Sequence, residues 1–330
     1  MALKVLKAGV LDTIQDMGRY GYSHWGINPG GAMDTYATAI SNALVGNEAH
    51  LPVLEMHFPG PQLLFEKPAL IALCGANMNP QAVNRPLPMW QPVLVQKNTV
   101  IYFDQKIWGE RTYLAIHGGF KIEPWLNSFS TNLKAKAGGF EGRKLAKMDR
   151  IEFLSSPDKA TLHLNEEEEF KKLNWKVNPD YLFSDQLIFP VVAGQEWIQL
   201  EKDSRAAFLQ DQFTVGKQSD RMGYRLSGVP LTRTRNDELL STSVDTGTVQ
   251  LLPDGQLIIL MADRQTTGGY PRIAHIHHCG LPTLAQVAAG TPIGFKITSL
   301  EEAEKCHIER QQEITLIRKS CLENLDKWMH

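Results

Sequence analysis

Apolar residues along this chain come in short runs of strand length, broken by turn signals. The clearest case is residues 249–261, where VQLL and QLIILM flank Pro253-Asp254-Gly255. Proline pre-sets φ for the turn and glycine accepts positive φ, so the pattern predicts two strands joined by a tight hairpin. Similar strand-and-turn material recurs at 62–73, 93–103, 111–120 and 150–164. Leu257–Met261 is apolar without alternation, which predicts a strand covered on both faces. Helical patterns are few. Asp34 is placed to N-cap a helix whose Tyr36, Ile40 and Leu44 share one face, with Gly46 at its C-terminal stop. Pro282 opens a short helix that runs to Ala289 and ends at Gly290. Ser299 and Glu302 form a capping box for a C-terminal helix, in which Ile314, Ile317, Cys321, Leu325 and Trp328 make an apolar stripe. That stripe reads as the face of a helix lying on its own protein; the alternative is a contact face for a second protein. The predicted class is mainly β, with few helices and a C-terminal helix.

Residues 155–180 are polar and include an acidic run at Glu166–Glu169, which places a boundary between two β-rich halves, 1–175 and 176–330. QDMGRYGY at 15–22 and SDRMGYRL at 219–226 echo one another, a pattern that fits two copies of one β-module. The chain has 330 residues, 43% of them hydrophobic and 21% charged, the balance of a soluble globular protein. A formal net charge of −2 supplies no drive toward nucleic acid or an anionic membrane. Apolar runs such as LIILMA are too short to cross a bilayer, and the N-terminal stretch lacks a signal-type apolar core, so the expected location is the cytoplasm. Cys74, Cys279, Cys306 and Cys321 show no CxxC spacing and read as reduced, unligated thiols.

Candidate chemistry concentrates where the apolar strand 257–261 ends and MADRQTTGGYPRIAHIHH begins. Asp263, Arg264, Gln265, Thr266 and Thr267 follow the strand abruptly, and Gly268-Gly269 permits close backbone approach. Polar groups on the end of a rigid strand suit a catalytic or binding site. An Asp–Arg pair that ties down a loop is the competing reading. On an extended strand His275 and His277 share one face, about 7 Å apart, while His278 points away. The sequence offers no second cluster at zinc spacing, so no metal site is assigned. TIQDMGRYGYSHWGINPGGAMD has a similar character, with Thr13, Gln15, Asp16 and Arg19 near glycine-rich turns able to cradle an anion. No GxGxxG or Walker A pattern is present. His117-Gly118-Gly119 has the look of an oxyanion loop but lacks a GxSxG partner, and a strand-end turn is the preferred reading.

TIQDMGRYGY, PGGAMD, LVGN, HGGF, GGFEGRKL, SDRMGYRLSG and PDGQLIILMADRQTTGGYP occur in that order, from about residue 9 to 297. Together they closely resemble the carboxyltransferase A/B family, once called allophanate hydrolase subunit 2. The resemblance implies two tandem cyclophilin-like β-barrel domains. It also implies a heteromer with a B component of the Kip-inhibitor (KipI, allophanate hydrolase subunit 1) type. With a further A component of the lactam-utilisation type, such a complex opens 5-oxoproline to glutamate using ATP. On this reading the chain is an enzyme component inactive alone, ATP with magnesium belongs to the complex, and biotin is not attached to this chain. Two alternatives come with the family. One is a component of a biotin-dependent urea carboxyltransferase; the other is a regulatory protein, like the Kip antagonist, that binds the B component without chemistry. Carried onto the matching motifs, the resemblance assigns Arg221 and Arg264 to anion binding, and Asp263 and Asp16 to acid–base or orienting work. Gln15, Arg19, Gln265, Thr266, Thr267 and Tyr270 are the implied substrate contacts. The sequence departs from the family at IHHCGLP, where Gly280 takes an acidic position and His278 and Cys279 replace small residues. It also departs at Phe129, where arginine is common, and at Ser241, Thr242 and Ser243. These departures predict altered specificity or lost activity.

Overall fold

In the computed structural model, residues 2–154, 168–179, 187–235 and 238–329 are described. Packing divides the chain into two units: Met1–Arg19, Asp34–Asp180 and Gln312–His330 form one, and Tyr20–Met33 with Tyr181–Gln311 the other. The segment between the QDMGR and AMD motifs thus groups with the C-terminal half of the chain, and the C-terminal tail with the N-terminal half. Most of the acidic stretch expected to separate the halves, and most of the strand material expected at 150–164, lies outside the described residues.

The N-terminal unit arranges its described strands as two six-stranded sheets. In the first, Ala2–Lys7 pairs with Arg150–Glu152 and Gln62–Phe65, and its alternation turns Leu3 and Val5 into the core. In the second, Ala69–Asn77 and Trp108–Ile116 lie side by side at the centre; Ala69–Ala76 and Arg111–Ile116 are buried throughout. That matches the near-continuous apolar runs in the sequence. Helix α1, Thr35–Leu44, begins where the Asp34 carboxylate accepts the Ala37 N–H at 2.8 Å. Its stop at Gly46 serves twice: φ is +75°, and a Cβ there would lie 2.4 Å from Leu325.

The C-terminal unit is built on a closed seven-strand barrel. Its order is Ile188–Ala193, Arg272–Ile276, Thr248–Leu251, Leu257–Leu260, Gly223–Ser227, Phe213–Val215 and Pro292–Ile297, closed by parallel pairing of the last strand with the first. The predicted hairpin is present: Leu252 N–H bonds Gln256 carbonyl across a turn in which Gly255 has φ +80°. Phe189, Val191, Phe213, Val249, Ile259 and Phe295 fill the barrel. Helix α2, Lys202–Gln210, has no counterpart in the sequence pattern, because only Ser204 and Phe208 are buried, Leu209 is exposed, and the remaining positions are polar or small. Helix α3 is shorter than its sequence pattern: it covers Leu281–Ala285, after which Gln286 and Val287 form tight turns onto Thr283 and Leu284.

Helix α4, Leu300–Met329, carries the predicted capping box, with reciprocal bonds between Ser299 and Glu302 of 3.0 and 3.2 Å. In the N-terminal unit its stripe faces its own protein: Cys321 and Leu325 are buried, and Tyr36 Oη donates to Glu313 at 2.6 Å.

Candidate functional site

The C-terminal barrel carries a row of mixed polar and apolar side chains on the face opposite its core, a feature the apolar runs do not announce. Val249, Leu251, Leu257, Ile259, Tyr224 and Leu226 point inward, so period-2 alternation turns Gln250, Ile258 and Arg225 outward. Gln250 sits opposite Ile258, and Ile258 opposite Arg225, which aligns the three across adjacent strands. Leu257–Leu260 is therefore not covered on both faces. Ile258 is half-buried and helps line a cavity of about 600 Å³, with Gln250, Arg225, Asp220, Gln265 and Tyr270. Gln250 is only 1% exposed, yet its Nε2 has no hydrogen-bond partner. A buried amide left open this way is costly inside a protein and suits a ligand acceptor. Gly268 makes this possible, since a Cβ there would lie 2.7 Å from that nitrogen. Asp220 shapes the rim by accepting the N–H groups of Met222 and Gly223 at 2.8 and 3.2 Å.

The other candidates in this unit are committed to internal pairs. Arg221 holds Asp263 with two parallel bonds, Nε to Oδ2 at 2.8 Å and Nη2 to Oδ1 at 3.0 Å, and also donates to the Gly31 carbonyl at 2.6 Å. The SDRMG, DRQTT and PGG motifs thus meet at one buried guanidinium. Asp263 does not pair with Arg264. Arg264, 4% exposed, donates to the Val244 carbonyl at 3.2 Å and to the Asp245 carboxylate, while its Nη1 has no partner. Burial pushes the Arg264 guanidinium below its ordinary value, and Asp245 only partly offsets this. Thr266 offers its carbonyl to Val244 N–H at 3.2 Å, and Thr267–Gly268 pairs with Thr242–Ser243 as a two-stranded ribbon. The divergent Thr242 and Ser243 therefore lie directly against the DRQTTGGYP motif.

In the N-terminal unit Asp16 is the hub of the serine turn. It accepts from Ser128 Oγ at 2.8 Å, Phe129 N–H at 2.6 Å, Gly18 N–H at 2.8 Å and Ser130 Oγ. Three of these donors reach Oδ1 and one reaches Oδ2, which fixes the carboxylate in place. Position 129 contributes its backbone here, and its phenylalanine packs against the core. Arg19 donates to the Ser130 carbonyl and stacks over Trp125 at 4.5 Å. Gln15 stands apart: its Nε2 bonds Thr13 at 3.0 Å and its buried Oε1 has no partner. The His117-Gly118-Gly119 segment is a strand-end turn, with the Gly118 N–H held by Asn47 at 2.8 Å and His117 Nδ1 2.7 Å from the Val45 carbonyl.

The histidines depart from the expected alternation. The strand ends at Ile276, so His278 joins His275 and His277 on one cavity of about 360 Å³, together with His307 of α4. His275 Nδ1 lies 3.2 Å from Thr248 Oγ1 and His277 Nε2 lies 2.5 Å from Thr298 Oγ1. Burial lowers the pKa of all three. Among the described residues no group of three His, Cys, Asp or Glu side chains is arranged to hold a metal. Nor, among them, is any helix long and apolar enough to cross a membrane.

The protein family described as carboxyltransferase domain, subdomain A and B, matches residues 25–297. The chain belongs to this family. Among its relatives, the C subunit of 5-oxoprolinase from Escherichia coli strain K12 is 36% identical over 310 residues, covering 94% of this chain and 96% of that protein. Its Haemophilus influenzae counterpart is 34% identical, with 92% and 93% covered. The solved urea amidolyase of Kluyveromyces lactis superposes on 96% of this chain with a TM-score of 0.86 at 26% identity. The chain spans 20% of that larger protein. In this chain SDRMGYRL and DRQTTGGYP supply both the cavity residues Asp220, Arg225, Gln265 and Tyr270 and the Arg221–Asp263 pair. Gln250 and Asp245 escape sequence reasoning because each sits in an ordinary-looking strand or turn. Alternation along VQLL is the available signal for Gln250.

Proposed function

We propose that this chain is the C component of an ATP-dependent 5-oxoprolinase, hydrolysing 5-oxoproline to glutamate together with its A and B components. The observation that carries the reading is the near full-length match, in both directions, to the C subunit of the Escherichia coli 5-oxoprolinase. The cavity chemistry supports it. 5-Oxoproline carries a carboxylate and a lactam carbonyl whose oxygen gains negative charge as the ring opens. Arg225 provides a cation for the carboxylate, and the amides of Gln250 and Gln265 with the Tyr270 hydroxyl provide donors for the carbonyl oxygen. Arg221, Asp263 and Asp16 act as orienting groups that fix the loops, and Arg264 Nη1 is a further open donor. Gln15 and Arg19 in the N-terminal unit, and Thr266 and Thr267 in the C-terminal unit, remain candidate substrate contacts. ATP with magnesium is assigned to the complex as a whole, in the cytoplasm.

The test is reconstitution with the A and B components, following 5-oxoproline-dependent ATP hydrolysis. Turnover that requires this chain supports the proposal. Complex formation without turnover selects the regulatory reading, in which the chain binds the B component and does no chemistry. A second chemistry has an observation of its own, the superposition on urea amidolyase. Carboxyl transfer to urea from a separately supplied carboxybiotin carrier would select it over lactam hydrolysis.

A further inference from the structure

Cys279 and Cys306 are far apart in the chain and neighbours in the C-terminal unit. Cys279 lies in the tight turn His278–Gly280 that follows the barrel strand Arg272–Ile276, and Cys306 lies in the second turn of α4. The adjacent residues fix the register between these segments. The His278 and His307 rings meet edge to face, with centroids 5.2 Å apart and planes at 77°. Ala303, Glu304, His307 and Ile308 of α4 line the same cavity as His275–His278, so this face of α4 lies along the end of the strand. Both thiols are free and half-buried, and Cys279 is close enough to Cys306 for the neighbouring thiol to act on it electrostatically. Cys74 and Cys321 are buried elsewhere, in the N-terminal unit.

We propose that Cys279 and Cys306 are a reversible redox pair that closes to a disulfide and staples the start of α4 to the end of the barrel strand. A disulfide needs its sulfurs at about 2.05 Å, and the His278–His307 contact holds the two cysteine-bearing segments together for side-chain rotation to bring the thiols to that distance. The oxidant is a hydroperoxide. Its O–O bond breaks as one thiol becomes a sulfenic acid with release of water, or of an alcohol from an organic hydroperoxide. The second thiol then displaces hydroxide from that sulfur, giving the S–S bond and a second water. Burial, reinforced by the neighbouring Cys306 thiol, pushes the Cys279 thiol up to about 12. Because thiolate is the reactive form, burial makes Cys279 the poorer site for the first oxidation.

The test uses the full-length chain exposed to hydrogen peroxide, followed by alkylation and non-reducing peptide mapping. The expected result is one linked peptide pair containing Cys279 and Cys306, reversed by dithiothreitol, with Cys74 and Cys321 still alkylated. In Cys279→Ser the sulfenic acid on Cys306 accumulates and is trapped by dimedone. In Cys306→Ser the trapping at Cys279 is weaker by roughly tenfold or more, as its suppressed thiolate fraction requires. The oxidised wild-type chain melts a few degrees above the reduced one, roughly the gain from closing a loop of this kind. Separate overoxidation of Cys279 and Cys306 without a crosslink would overturn the proposal. So would a disulfide involving Cys74 or Cys321, and both results are readable on the wild-type chain even where a variant folds poorly.

Discussion

Arg264 and Gln265 are neighbours in sequence, and the C-terminal unit uses them in opposite ways. Around Arg221, Asp263, Arg264 and Asp245, charged side chains are matched to one another, with both guanidiniums taken out of water. Around Gln250, Arg225, Gln265 and Tyr270, polar side chains face an open cavity, and one buried amide is left without a partner. The first arrangement builds rigidity and the second retains capacity to bind. A motif such as DRQTTGGYP therefore mixes two kinds of residue, and only geometry separates them.

The largest effect is expected from breaking a matched pair. Asp263→Ala leaves the Arg221 guanidinium buried with its bidentate partner removed, which costs about 3 kcal/mol or more. Urea unfolding of the isolated chain measures it, and a change below about 1 kcal/mol would place Asp263 among the dispensable polar groups. Gln250→Leu should do the reverse. Removing an unmatched buried amide for an apolar group of similar size leaves stability unchanged or raises it. In the reconstituted complex the same change should lower kcat/KM about 100-fold, the scale of a lost oxyanion donor. A variant that unfolds easily but turns over normally would invert the comparison.

Two aspartates in the N-terminal unit sharpen the same contrast through pH. Asp16 is surrounded by donors, whereas Asp12 accepts the Gly9 N–H at 2.6 Å and leaves Oδ1 unpartnered. Burial pushes the Asp12 carboxyl up to about 7, against an ordinary value of 3.8, with the Gly9 N–H and Lys144 opposing the rise. Between those values the folded chain holds a proton that the unfolded chain has released, so stability falls as pH rises through that range. Asp12→Asn should remove a loss on the order of 2 kcal/mol between pH 5 and pH 8. Parallel melting curves at the two pH values check this, and an unchanged pH dependence in the variant would remove Asp12 as its source. The smallest effect belongs to an exposed matched pair: Ser299→Ala should cost about 1 kcal/mol, read as reduced protection of the first turn of α4 in hydrogen exchange.

Local patterns carry much of the fold. The hairpin at Pro253-Asp254-Gly255, the Asp34 cap and the Ser299–Glu302 box each appear where the sequence places them, because each is set by residues a few positions apart. The grouping of Tyr20–Met33 with the C-terminal barrel is not legible, since it depends on long-range bonds such as Arg221 to Gly31. Helix α2 escapes for want of an apolar stripe. For the site, SDRMG and DRQTT point to the right segments but not to each residue's employment. The family motifs suggest that Arg221 and Arg264 bind anions, and the structure shows both guanidiniums already holding carboxylates of their own chain. Gln250 carries no signal beyond alternation, because an unmatched amide is visible only once its neighbours are placed.

The central claim is that the open cavity of the barrel, rather than the two buried guanidiniums and their carboxylates, contacts substrate. Its most direct measurement is steady-state 5-oxoproline-dependent ATP hydrolysis by the complete complex containing Gln250→Leu, with assembly confirmed by size-exclusion chromatography. A fully assembled complex with kcat/KM reduced about 100-fold is the predicted result. An assembled complex with wild-type kcat/KM would contradict it.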